Sequence, residues 1–421
     1  MNVLIIGEGG RESAILHQTL LSPKVCKVYI APGNGGTSEL CINVDIPSAN
    51  ISELAKFAID NKIDLTIVGP EIPLSLGIVD LFISKGLKIF GPSKNASRIE
   101  SSKIFAKNLM KEFNIPTANY EVFEDENSAI KFLDETEFPI VIKADGLAAG
   151  KGVYISENPD EAKIAIKDLM NSQIFGNSGK KIVIEEFLSG SEFSVFAFTN
   201  GNDIKVLLSA CDYKKAYDED MGPNTGGMGS FSPAPQLNKN NKDFINSKII
   251  KPTLDALNHK NSKFIGVLYC GLILTDKGIF VIEFNCRLGD PETQVVLPTI
   301  NFDLIELIES CINENNKNIF KDTKDKKAVG VVLASKGYPG KYETNKELSI
   351  NYSFDNNDSY IFHAGTKKYG KNIVTSGGRV LTVVGTGNSI NEARNLAYKI
   401  CENINFDNKY FRKDIAKNVQ E

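Results

Sequence analysis

Residues 281–294 read VIEFNCRLGDPETQ and concentrate side chains able to do chemistry. On a β-strand alternate side chains share a face, so Glu283, Asn285 and Arg287 point one way while Phe284, Cys286 and Leu288 point into a core. A carboxylate beside an amide oxygen is a hard-oxygen donor set suited to Mg²⁺, which keeps waters and bridges substrate phosphates. The guanidinium one step further suits a carboxylate or a phosphate. The same residues would also serve as the polar face of an edge strand closed by the acidic, rigid turn GDPET.

Three glycine-bearing segments could hold the rest of such a site. GEGGRE (7–12) lacks the third glycine of a dinucleotide fingerprint, since Glu12 stands there. No acid follows a strand about 20 residues later, where the fingerprint needs one. What remains is a strand-to-helix turn whose backbone N–H groups suit a phosphate, or simply a tight turn. GLAAGKG (146–152) is not a Walker loop, because Gly152 replaces the hydroxyl that would hold magnesium. It lies between the strand-like runs 140–143 and 153–155. It therefore reads as a hairpin, either a flap closing over phosphates with Lys143 offering charge, or a flexible turn with no ligand. In IVIEEFLSGSE (182–192) an apolar strand breaks at Ser189 and Gly190 with acids on either side. An adenine could use the backbone there, and an ordinary strand end would look the same.

The elements that must position these residues follow from composition and pattern. With 421 residues, the chain should hold two to four compact units, and 42% hydrophobic with 24% charged content is ordinary for a soluble globular protein. A net charge of −4 gives no reason to expect nucleic acid or a membrane surface as partner. Seven scattered cysteines without CxxC spacing disfavour a disulfide framework or a zinc site, and suit a reducing cytosol. Only three histidines exist, at 17, 259 and 363, so histidine-based catalysis is not expected. MNVLIIGEGG is a short strand meeting glycines, neither a signal peptide nor a span; a cytoplasmic location is expected.

Strand runs at 3–6, 27–31, 65–68 and 88–90 alternate with helices such as 52–61, where Asn50 and Glu53 form a capping pattern. Such alternation implies a parallel sheet covered on both faces, with ligands at the strands' carboxyl ends. From about residue 101 a helix (102–113) leads into strand-rich sequence. A helical segment is expected near 244–260, a charged linker over 317–328, and a helix opened by Ser389 and Glu392.

These parts, in this order, resemble the ATP-grasp fold, and within it the phosphoribosylamine–glycine ligase (glycinamide ribonucleotide synthetase) family. GGRE, APGNGGT, GPE with PL and GIVD, IKADGLAAGKGV, PNTGGMG, RLGDPETQ, HAGT and SGGRVL stand in register over nearly the full length. The resemblance implies an α/β chain, α+β in parts. Its units would be an N-terminal parallel α/β phosphoribosyl domain (1–100), an ATP-grasp domain (101–325) with a lid subdomain at about 115–190, and a C-terminal domain (326–421).

Carried over, Lys103 and Lys143 would bind ATP phosphates under the flap of Gly146, Gly150, Lys151 and Gly152. Glu186, Phe187 and Leu188 would meet adenine, and Glu192 the ribose. Glu283 and Asn285 would hold Mg²⁺ or Mn²⁺. Arg287, Asp212 and the loop Pro223, Asn224, Thr225, Gly226, Gly227 and Met228 would line the amino-acid and amine site. Arg287, Lys143 and Asp212 would be the catalytic set. Gly9, Gly10, Arg11, Glu12, Asn34, Gly35, Gly36 and Thr37 would handle the phosphoribosyl group.

The implied reaction joins glycine to 5-phosphoribosylamine with ATP, through glycyl phosphate, in de novo purine synthesis by a monomer. This chain departs from the family where REHA becomes RESA at Ser13, and where QDHKR becomes CDYKK at Cys211, Tyr213 and Lys215. Both departures fall on the substrate side. Another carboxylate–amine or carboxylase-type member of the fold would share the ATP half, and a nucleotide-binding regulatory protein would bind ATP without glycine-dependent ADP release.

Overall fold

The computed structural model describes residues 1–147, 152–171, 180–313, 320, 325–352 and 358–419. The first strands, β1 (Asn2–Gly7), β2 (Lys27–Pro32), β3 (Ile42–Asn43), β4 (Leu65–Val68) and β5 (Ile89–Phe90), form a parallel sheet in the order β3-β2-β1-β4-β5. Val3, Leu4, Ile5 and Ile6 are all buried, as a strand covered on both faces requires. The helix Ile51–Asp60 begins where its capping pattern places it, with the Asn50 side chain accepting from the Glu53 N–H.

The helix Lys103–Glu112 is capped by Ser102, whose hydroxyl accepts from Phe105 N at 3.1 Å. It leads to an antiparallel sheet of β6 (Tyr120–Phe123), β7 (Ile140–Ala144), β8 (Val153–Ser156) and β9 (Ile182–Glu186), ordered β6-β9-β7-β8. The helices Glu126–Phe132 and Pro159–Asn171 accompany it, and Ala129, Ile142, Ala162, Ile166 and Ile184 give this unit a hydrophobic core of its own. β7 and β8 pair Lys143 with Val153, so the expected hairpin has its two arms in place. Residues 148–151 at its tip, Gly150 and Lys151 included, lie outside the described residues.

After β10 (Ser191–Thr199) and β11 (Ile204–Asp212) comes a short ribbon, β12 (Lys215–Tyr217) with β13 (Met221–Asn224). Then follow β14 (Gly229–Ser232), β15 (Gly266–Thr275), β16 (Gly278–Asn285) and β17 (Lys327–Ser335). The last part adds β18 (Ser359–His363), a hairpin of β19 (Thr366–Tyr369) and β20 (Asn372–Thr375), and β21 (Arg379–Gly387). One antiparallel sheet, ordered β16-β15-β10-β11-β14-β17-β21-β18, therefore runs from residue 191 to residue 387. The strand bearing Glu283 lies at one end of this sheet, and the C-terminal strands lie at the other.

The helix expected near 244–260 is longer than its pattern, running from Lys239–Ile245 through a wider turn at Asn246–Ile250 into Lys251–His259. The linker expected over 317–328 falls mostly outside the described residues, and Lys327 already begins β17. The helix Ile390–Glu402 starts at Ser389, whose hydroxyl accepts from Glu392 N at 3.1 Å. Among the described residues, no helix is long and apolar enough to cross a membrane.

Candidate active site

β16 alternates as its sequence predicts. Phe284, Cys286 and Leu288 are buried, while Glu283, Asn285 and Arg287 stand half-buried on the other face. The β15–β16 ladder is irregular at Ile282, because Gly271 faces Glu283 and Leu272 faces Val281. A Cβ on Gly271 would lie 3.2 Å from Glu283 Cγ, so a bare backbone gives the carboxylate room to turn outward. Glu283, Asn285 and Arg287 line a cavity of about 1690 Å³ with residues of β7, β9 and the helix Lys103–Glu112. Single-ligand pockets run to about 1,000 Å³, so this space can hold a nucleotide together with a co-substrate.

The cationic wall comes from three elements. Lys143 Nζ stands 3.0 Å from Glu185 Oε2, and Lys107 Nζ lies 2.8 Å from the same oxygen. Glu185 Oε1 is buried and has no hydrogen-bond partner. Lys103 donates to the Gly146 carbonyl at 2.9 Å, which fixes the incoming arm of the hairpin. Burial lowers the Lys103 ammonium, against the pull of Glu283. Burial would push the Glu283 carboxyl up, but Lys214, Lys143, Lys103 and Arg287 outweigh it and hold the group below its ordinary value. Lys214 also reaches Glu192 at 2.6 Å.

The acidic wall faces Arg287. Its Nη2 lies 2.9 Å from Glu100 Oε1, and its Nε lies 3.4 Å from Glu71 Oε2, an ion-pair separation without hydrogen-bond geometry. Burial would raise the Glu71 carboxyl, yet Arg287 and Arg11 keep it low. Nearby, Tyr269 donates to Glu292 Oε1 at 3.1 Å, and its hydroxyl is 2.7 Å from Ser194 Oγ. Burial, then the charge of Asp212, pushes the Glu292 carboxyl up to about 7, and burial raises Asp212 itself. One cavity thus sets lysines for phosphates beside ionised acids for a metal or an ammonium.

Comparison with known proteins covers nearly the whole chain. The N domain of phosphoribosylglycinamide synthetase matches residues 1–100, its ATP-grasp (A) domain 101–293, and its C domain 328–418. The phosphoribosylamine–glycine ligase of Caldanaerobacter subterraneus is 49% identical over 416 residues, covering 99% of each chain. The chain belongs to the phosphoribosylglycinamide synthetase family. The enzyme of the same name from Halalkalibacterium halodurans is 46% identical, covering 99% of this chain and 96% of that one. The crystal structure of phosphoribosylamine–glycine ligase from Thermotoga maritima superposes with a TM-score of 0.85 at 32% identity, covering 99% of this chain and all of that one (100%). The biotin carboxylase domain of Hydrogenobacter thermophilus 2-oxoglutarate carboxylase, at 14% identity and a TM-score of 0.74, shares the ATP-grasp fold.

Of the ten residues expected to meet the nucleotide, Gly150 and Lys151 lie outside the described residues, and the other eight stand around the cavity. Lys103, Lys143, Gly146, Gly152, Glu186, Phe187, Leu188 and Glu192 all line it. Glu186 is less free than expected: its carboxylate accepts from Asn119 N at 2.9 Å and from Asn119 Nδ2 at 3.1 Å. Arg287 is likewise not the free clamp that its spacing suggests, since two acids already share its charge.

The N-terminal glycine turns differ most from expectation. Arg11 reaches the cavity, but Gly9, Gly10, Glu12, Asn34, Gly35, Gly36 and Thr37 are not among the residues lining it. Glu12 is buried and accepts from Gly9 N at 2.6 Å and Arg11 Nε at 2.5 Å, which closes the turn. Asn34 Oδ1 accepts from Gly36 N and Thr37 N, and Gly35 N donates to the Thr366 carbonyl. A Cβ on Gly35 would stand 3.1 Å from the Lys367 backbone, because the β19–β20 hairpin covers this turn. These N–H groups are occupied by the protein itself.

In the loop 223–228, Asn224, Thr225 and Gly226 line the cavity, whereas Pro223 and Gly227 do not and Met228 is buried. Arg379 Nη1 donates to the Gly226 carbonyl at 2.6 Å and the Asp290 carbonyl at 2.8 Å, and Gly226 N donates to the Tyr338 hydroxyl at 3.0 Å. Gly227, at φ +108°, packs where a Cβ would meet Pro291 Cδ at 2.4 Å. Glycine is required there. The departures from the family pattern make internal contacts: Ser13 donates to the His363 carbonyl at 2.5 Å, and the Tyr213 hydroxyl accepts from Ala416 N at 2.9 Å.

Lys107, Glu185, Lys214, Glu71, Glu100, Tyr269, Glu292, Tyr338 and Arg379 also line this wall, beyond the residues expected there from sequence. Two had a usable signal. Lys107 follows Lys103 by one helical turn, and Glu292 sits inside RLGDPET.

Proposed function

We propose that the protein ligates glycine to 5-phosphoribosylamine with ATP, giving glycinamide ribonucleotide, ADP and phosphate through glycyl phosphate, as in de novo purine synthesis. The observation that carries this reading is one cavity holding Lys103 and Lys143 across from Glu283, Asn285 and Arg287, in a chain that matches the synthetase family from end to end.

Lys103 and Lys143 would meet the nucleotide phosphates, and the unpartnered Glu185 Oε1 can accept an N–H such as the exocyclic amine of adenine. Glu283 and Asn285 fit a hard divalent ion, Mg²⁺ or Mn²⁺. Both offer oxygen donors, and Glu283 is held ionised by its cationic neighbours. Among the described residues no group of three His, Cys, Asp or Glu gathers to cage a metal. Waters and phosphate oxygens would complete the shell, and the bound ion supplies neutralisation of phosphate charge.

The glycine carboxylate would attack the γ-phosphorus, and ADP leaves. The amine nitrogen of phosphoribosylamine would then attack the acyl carbon, phosphate leaves, and the nitrogen gives up a proton. Phosphoryl transfer of this kind depends on position and charge rather than on an enzyme nucleophile. Arg287 would reach the glycine carboxylate by exchanging Glu71, the looser of its two partners. The acids along that wall suit the α-ammonium. An acyl phosphate hydrolyses when exposed, so the lid sheet β6–β9 is the element expected to shut out water. Free thiols at all seven cysteines fit a reducing cytoplasm, and a monomer suffices because one chain supplies every group named.

The test is ADP release with glycine and freshly generated phosphoribosylamine, each omitted in turn. ADP release that requires both supports the reading. ADP release with bicarbonate or another acid, but none with glycine, overturns it.

A further inference from the structure

The helix Lys103–Glu112 sets two lysines one turn apart, and the second is buried with no substrate role assigned above. The side chain of Lys107 is 3% exposed. Its Nζ stands 2.8 Å from Glu185 Oε2, donates to Thr117 Oγ1 at 2.8 Å, and lies 5.7 Å from the Tyr120 ring centre. Thr117 Oγ1 donates in turn to the Val281 carbonyl at 2.7 Å, two residues before Glu283 on β16. Lys143 shares the same carboxylate oxygen at 3.0 Å, but its other contact, the Ile282 carbonyl, is long at 3.4 Å. Two ammonium groups therefore meet one buried carboxylate oxygen at the cavity wall, and Lys143 is the more loosely held of the two.

We propose that Lys107 is a positioning residue for nucleotide binding: it stays on Glu185 so that Lys143 can exchange that carboxylate for the phosphate oxygens of a nucleoside triphosphate. The proposal rests on the nucleotide reading of the cavity. A lysine leaving a buried ion pair strands its partner, and a stranded buried carboxylate is strongly disfavoured. With Lys107 in place, Glu185 remains paired when Lys143 moves. Without it, Glu185 retains Lys143 and competes with the phosphates.

The charged groups facing Lys107 are Glu185, Lys143 and Glu186, and Lys111 lies over the same Tyr120 ring. Burial brings the Lys107 ammonium down to about 8, with Glu185 opposing. The protonated form is the one that holds Glu185, so nucleotide affinity should weaken as pH rises through that value.

The experiment is direct titration with Mg·ATP, without glycine or amine, at about pH 7 and about pH 9. It uses the wild type, Lys107→Met, Lys107→Arg, Glu185→Gln and the Lys107→Met/Glu185→Gln double variant. At the lower pH, Lys107→Met should weaken binding by about tenfold or more, and it should show less alkaline weakening than the wild type. Lys107→Arg should keep the affinity and blunt the alkaline loss, since its charge does not titrate there. In the Glu185→Gln background no carboxylate can be stranded, so adding Lys107→Met should change affinity by less than about threefold.

A Lys107→Met variant within about twofold of wild type, or an effect of Lys107→Met that is undiminished in the Glu185→Gln background, overturns the proposal. Wild-type protein that does not bind Mg·ATP overturns the nucleotide reading, and this role with it. The variant pattern by itself overturns only the role of Lys107.

Discussion

Arg287 and Glu100 form the pair that fixes the end of the reactive strand, with Nη2 2.9 Å from Oε1. The other oxygen of Glu100 accepts from Cys286 N at 2.8 Å and Cys286 Sγ at 3.0 Å. A single carboxylate thus holds both the backbone and the guanidinium just beyond Asn285. Glu100→Gln removes the charge from this bond while keeping its shape. The KM for glycine is expected to rise by about tenfold, since a hydrogen bond to a charged group is worth about 1.5–3 kcal/mol. Steady-state kinetics with glycine varied, beside a nucleotide titration that stays unchanged, checks this.

Glu283 is kept ionised by four cations despite burial. Glu283→Gln leaves the side-chain volume but deletes the charge, and turnover at saturating Mg²⁺ should fall by roughly 10²–10³-fold, the scale for one preorganised electrostatic element. Near-normal turnover would dismiss it as a metal ligand.

Arg379 joins the Gly226 loop to the 289–291 turn through two carbonyls and a 3.2 Å ion pair with Asp290. Arg379→Ala frees the loop that the amine would meet. The KM for phosphoribosylamine should rise by about 10–100-fold, with Mg·ATP affinity unchanged. Tyr338→Phe, which removes only the hydroxyl bonded to Gly226 N, should move the same constant in the same direction by less. A change in nucleotide affinity instead would assign the pair to the ATP half.

Glu292 titrates at about 7 in the folded chain against an ordinary 4.5, because burial and then Asp212 disfavour its charge. Between those values the folded protein holds a proton that the unfolded chain has released. Its contribution to stability is therefore fully present below about 4.5 and is lost as pH rises through 7. Glu292→Gln keeps an acceptor for Tyr269 without a charge. Its melting temperature should exceed that of wild type at alkaline pH, by up to about 3 kcal/mol in stability, and the gap should close in acid. Melting curves across pH decide it; a pH-independent gap would refute the raised carboxyl.

Much of the fold is legible locally. Four apolar residues in a row predict β1, Asn50 with Glu53 predicts a helix start, and the alternation in 283–288 predicts which side chains face the site. Capping and strand periodicity act over a few residues, so one chain segment suffices to read them. The N-terminal turns show the limit of such reading. GGRE and APGNGGT have the residues of a phosphate cradle, yet their N–H groups are taken by Glu12, by Asn34 and by Thr366, more than 300 positions away.

By itself, the sequence determined the alternation on β16, the two-armed hairpin after Lys143, and the family pattern that joins them. Tertiary structure alone decided which charges meet. It set Glu185 under two lysines, placed Glu71 and Glu100 on Arg287, and brought Arg379 onto the Gly226 loop. Side-chain direction is fixed by local backbone period, whereas electrostatic partnership needs groups within a few ångströms, and only the closed fold brings distant segments that near.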